Sequence, residues 1–206
     1  MADLYKALAQ IHAIRGQMAR GTEFHGYGPE TVTATGLLAG AAAALQAAVL
    51  KDPGDHAARF LLIWISTAAL AVLVTGLQTI TRTRRVHSGL VSHMIGSAAE
   101  SFLPAIGAGI LVTLILVRSA PRELWMLPGL WQIFYGLGIF ASCRFVPRQM
   151  LAVGVWFLAT GALCLTTGTG GHALSPWEMG FPFGIGQLLI AAVLKFSYRE
   201  ADEDAQ

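Results

Sequence analysis

Residues 58–80 read "ARFLLIWISTAALAVLVTGLQTI", and from Phe60 to Ile80 the stretch holds no charged side chain. The hydrocarbon core of a bilayer takes about 20 helical residues to cross, so this segment is long enough to span one. Comparable stretches recur at 31–50, 96–117, 124–143, 149–167 and 177–197. The whole chain is 54% hydrophobic and only 13% charged, against about 25% charged residues in an ordinary soluble domain. A soluble fold would have to bury six all-round apolar helices within 206 residues, and too little polar surface remains to cover them. The sequence therefore predicts an all-α, polytopic integral membrane protein: a six-transmembrane-helix bundle. It divides into residues 1–30, a cytoplasmic amphipathic helix and Gly-rich loop; 31–198, the transmembrane domain; and 199–206, a short acidic cytoplasmic tail.

Orientation follows from the basic residues. Lys6, Arg15, Arg20, Arg82, Arg84, Arg85, Arg144, Arg148, Lys195 and Arg199 fall on one side of the predicted spans, and only Lys51, Arg59, Arg118 and Arg122 on the other. The positive-inside rule makes the first side cytoplasmic, with both termini on it. A plasma or bacterial inner membrane is the expected location. The net charge of +2 reflects this asymmetry, and no nucleic-acid partner is expected. The first twenty residues lack the continuous apolar core and cleavage site of a signal peptide. Leu4, Leu8, Ile11 and Met18 share one helical face there, which suits a helix lying at the membrane surface. Arg15 and Arg20 suit anionic headgroups.

The connections carry local signals. Pro29 suits the first turn of span one, and Asp55 is a plausible N-cap for span two. Ser175-Pro176-Trp177-Glu178 reads as a capping box with proline in first position, which gives Glu178 a structural task. Trp177 suits the interface. Glu23 and His25 are too few for a metal site, His87 and His93 lie too near the membrane edge for haem, and His172 reads as exposed. Cys143 and Cys164 fall at opposite ends of adjacent spans, too far apart to bridge. No zinc-protease, Walker, nucleophile-elbow or C-x-x-C pattern is present. Ser97 and Ser101 have only His93 near them as a base. No cofactor or metal is expected, and an enzyme is the least favoured class.

Within the spans, Gly36, Gly40, Ala44 and Ala48 recur every four residues and suit close helix packing. Glu100, in "GSAAESFLPAIGAG" (96–109), lies one turn inside the cytoplasmic boundary, counting about 20 residues back from Val117. Pro104 removes the donor that would bond the Glu100 carbonyl. Gln78 and Arg82 are at comparable depth and could tie Glu100 structurally; the sharper expectation is a gate or proton-linked group. Gln132 and Gln187 sit in "GLWQIFYG" and "GIGQLLIA", aligned at an offset of 55 residues with glycines at matching positions. Two such amides in parallel spans resemble the repeats from which transporters build midplane sites, although the match is short and interhelical hydrogen bonding is the slightly favoured explanation. Trp131, Phe134, Tyr135, Phe181 and Phe183 are candidates to line a pocket beside them.

Three functions remain in view. A small-solute transport or solute-binding protein would use Glu100, Gln132, Gln187 and Gln78. A non-catalytic accessory or regulatory subunit would dock a membrane partner, or a second copy, on the small-residue line of span one. A lipid-modifying membrane enzyme would use the basic rim.

Overall fold

A computed structural model describes residues 28–85, 89–143, 147–168 and 173–203. Among these residues the chain is entirely helical, and six helices are long and apolar enough to cross a membrane. The α-helices are α1 (Pro29–Val49), α2 (Ala57–Arg85), α3 (Gly89–Ser119), α4 (Leu127–Ser142), α5 (Met150–Thr167) and α6 (Pro176–Glu203), the fourth reaching membrane length together with the 3-10 turn before it, Pro121–Ser142. The N-terminal amphipathic face, Glu23, His25, His87 and His172 lie outside the described residues.

The local signals act where expected at two starts. Pro29 opens α1 after Gly28, and Pro176 opens α6. At α2 the outcome differs. Pro53 starts a 3-10 turn over Pro53–His56 that runs straight into α2, so Asp55 lies inside the turn instead of capping the helix. A second 3-10 turn, Pro121–Met126, leads into α4. Only three residues separate α2 from α3, so His93 belongs to a helix, and α6 continues into the acidic tail as far as Glu203.

The closest helix pairs, α1 with α6 and α4 with α5, are antiparallel, while α4 and α6 run parallel and meet through Gln132 and Tyr135. Along α1 and α6, Gly36 meets Gly184 and Gln187, while Gly180 meets Ala43. Along α4 and α5, Gly129 meets Gly161 and Gly136 meets Gly154. Phe157 of α5 covers Gly186 of α6, and Phe102 of α3 covers Gly138 of α4. The end of the bundle carrying the α1–α2, α3–α4 and α5–α6 connections is called here the loop end, and the other the terminal end.

The predicted small-residue line of α1 separates in space. Gly36 is buried against α6, but Gly40, Ala44 and Ala48 are exposed. Four helical steps overshoot a full turn by about 40°, so a strict four-residue repeat winds off the contact face. The face that does pack alternates steps of three and four: Val32, Gly36, Ala39, Ala43, Gln46. Two apolar cores result. One joins Ala39, Ala43, Phe60, Trp64, Leu174 and Met179 near the loop end. The other joins Val32, Ile139, Met150, Val153, Phe157 and Leu194 nearer the terminal end.

Candidate functional site

The polar residues of the spans fall into separate groups. Gln132 is 0% exposed, in the seam where α4 crosses α5. A Cβ on Gly161 would stand 3.1 Å from the Cβ of Gln132, so only glycine leaves room for this side chain. Its Nε2 donates to the Pro128 carbonyl at 3.1 Å and to the Glu178 carbonyl of α6 at 2.8 Å. The second acceptor is free for a sequence reason. Its helical donor would be residue 182, and Pro182 has no N–H. One lone pair that α6 cannot use is thus satisfied from α4. The Gln132 Oε1 is buried without a partner among the described residues.

Around the same turn lies the Glu178 carboxylate. It accepts from the Ser175 backbone N–H, half of the capping box, and the Cys164 thiol of α5 lies beside it. Its Oε1 is close enough to Gly168 that a Cβ there would stand 3.0 Å away, and its Oε2 is buried and unpartnered among the described residues. Both cysteines are free.

Gln187 forms a different group. Its Nε2 donates to the Tyr135 hydroxyl at 2.9 Å. Gln187 stands nine residues along α6 from Glu178, about 13 Å at 1.5 Å per residue, so the structure does not bring Gln132 and Gln187 together. Gln132 is level with the first turn of α6, nearer the loop end than its expected mid-span depth. Of the aromatic candidates, Tyr135 and Phe183 pack on each other, while Trp131, Phe134 and Phe181 have other neighbours. Tyr135 meets Phe102, Phe157 and Phe183 edge-on at centroid distances of 5.3, 4.7 and 5.4 Å. Trp131 stacks on Phe60 and donates to the Thr113 hydroxyl at 2.9 Å. Phe134 faces Gly109, and Phe181 is exposed.

Glu100 is exposed on α3. Thr113, level with Trp131, is thirteen residues further along, so Glu100 and Gln132 are separated by roughly 20 Å along the bundle. The side chain of Arg82, an expected partner of Glu100, and that of His93, the base expected near Ser97 and Ser101, lie outside the described residues. Gln78 is half-buried, with a buried Oε1 that has no partner among the described residues. Thr67, Thr75 and Thr79 are the neighbouring half-buried polar residues of α2.

One functional-looking residue escaped the sequence reading. Gln46 is 0% exposed, donates to the Leu174 carbonyl at 2.8 Å and accepts from the Trp64 indole at 2.6 Å. Leu174 has φ of 57°, the left-handed region that a branched side chain avoids. The Gln46 bond pins that conformation and ties α1, α2 and the approach to α6 together. The signal was available: Gln46 interrupts the alanine run of α1 just as Gln132 and Gln187 interrupt theirs.

No group of three or more His, Cys, Asp or Glu side chains gathers at metal-binding distance among the described residues. Comparison with protein-family models, curated proteins and solved structures finds no match.

Proposed function

We propose that the chain is an integral protein of a plasma or bacterial inner membrane, termini cytoplasmic, that binds or transports a small polar solute along the inward face of α2. The observation that carries this reading is Gln78. An unsatisfied buried amide oxygen costs about 1–3 kcal/mol, and polar groups retained in a membrane against such a cost tend to mark solute pathways. Gln78 supplies an acceptor for an N–H or O–H of the solute. The Thr67 hydroxyl already donates within its own helix, to the Ile63 carbonyl, and offers its oxygen as a further acceptor. The weak packing of α2 supports the same reading: beyond Trp64, its span contains no buried residue up to Thr81.

The test is labelling of Gln78→Cys with a membrane-impermeant maleimide, in a Cys143→Ser background that retains the buried Cys164. Reaction from the aqueous phase is expected. A cysteine at 78 that reacts only with a lipid-soluble reagent would place this face in hydrocarbon and sink the reading.

The accessory-subunit reading keeps one specific support. Gly40 borders a shallow apolar groove of ≈ 260 Å³ shared with Trp177, Gly180, Phe181, Gly184 and Leu188, and Ala44 and Ala48 continue the exposed small-residue line. Native mass spectrometry after gentle extraction separates the two. A stoichiometric second polypeptide favours the subunit; a chain carrying a discrete small-molecule mass favours solute binding.

A further inference from the structure

The geometry points to a monovalent-cation site of the Na⁺ type between α4, α5 and α6, with Glu178 Oε2 and Gln132 Oε1 as its side-chain ligands. It is independent of the solute reading, which rests on α2.

The argument begins with donors. Gln132 is completely buried, its amide nitrogen is spent on two carbonyls, and its oxygen faces no donor among the described residues. Glu178 is held to that side chain through its own main-chain carbonyl, and its Oε2 is likewise a buried acceptor without a donor. Two buried acceptor oxygens that lack donors, one of them on a carboxyl group, are what an oxygen-ligated cation requires. Glu178 is half-buried, and a carboxyl oxygen held out of water without a donor is costly.

The backbone adds to the negative character. The last carbonyls of any α-helix have no intrahelical donor and carry the negative end of its dipole. The α5 helix ends at Thr167, and Gly168 lies against the Glu178 carboxylate. Pro182 weakens the α6 ladder at the same level, as in the interrupted helices with which membrane transporters coordinate Na⁺. Charge selects the valence. One carboxylate neutralises one positive charge, whereas a divalent ion would leave net charge in a poorly solvated place. Hard oxygen ligands select against soft metals. The Cys164 thiol beside the carboxylate acts as a neighbour and not a ligand.

The experiment is thermal unfolding of the purified full chain in nanodiscs, with NaCl exchanged for choline chloride at constant ionic strength, and with each salt series repeated from pH 6 to 8. A saturable rise in Tm with Na⁺ is expected. Glu178→Gln should lower the apparent affinity by at least about tenfold, a factor worth 1.4 kcal/mol. That variant keeps an acceptor for the Ser175 N–H and should fold. Gln132→Met should weaken the Na⁺ response as well. Equal Tm in Na⁺ and choline overturns the proposal. A Tm that follows pH but not Na⁺, and loses that dependence in Glu178→Gln, replaces the cation by a proton. Stabilisation by Zn²⁺ that disappears in Cys164→Ser makes the site a thiol-metal site and overturns it equally.

Discussion

The α4–α5 seam and the free side of α3 are built from similar residues yet behave as opposites. In the seam, glycine is the only side chain that fits: a Cβ on Gly129 or Gly161 would stand 2.7 Å from the carbonyl of the other. On α3, a Cβ on Gly107 would meet nothing within 4 Å, and no residue from Glu100 to Ser119 is buried. Glycine in a span is therefore not itself evidence of packing. What matters is whether another backbone lies opposite, and only the fold supplies that.

Substitutions can break or sharpen this contrast. The largest effect is expected from Gly161→Val, which forces α4 and α5 apart against backbone and should cost about 3 kcal/mol or more; loss of folded protein, or a steep fall in thermal midpoint, checks it. Next comes Gln46→Leu. It strands the Leu174 carbonyl and the Trp64 indole together, for about 2 kcal/mol, read by the same unfolding assay with Trp fluorescence as the probe. Tyr135→Phe should cost only roughly 0.6 kcal/mol, the average for a hydrogen bond between membrane helices, because the ring contacts survive. The smallest change is expected from Gly107→Leu, within about 0.5 kcal/mol of the parent protein. A large loss there, in native lipid but not for the isolated chain, would show that α3 is covered by another protein.

The six spans were legible because their evidence is cumulative: about twenty apolar residues outweigh any single misplaced side chain. The starts at Pro29 and Pro176 were legible because proline acts locally. The faces were not. The four-residue spacing of Gly36, Gly40, Ala44 and Ala48 looks like a stripe on paper, but helical geometry carries three of the four out of the seam. Of the candidate site, the sequence showed which amides sit in apolar helices and not how they are arranged; Gln132 and Gln187 each bond across helices. Their shared motif suggested one site, whereas each is placed by a different partner, Glu178 or Tyr135. The link from Gln132 to Glu178 was half written in the sequence, since Pro182 follows Glu178 by four residues and must free its carbonyl. Which helix would fill that vacancy depended on tertiary structure.

That borrowed bond makes a joint of two elements. An ordinary helix resists bending through bonds it makes to itself; the first turn of α6 resists in part through the side chain of α4. Sliding α4 along its axis pulls on that carbonyl, and tilting the start of α6 pulls on Gln132. The loop end of the bundle is thus fastened across helices at a point where an ordinary helix would be fastened only to itself.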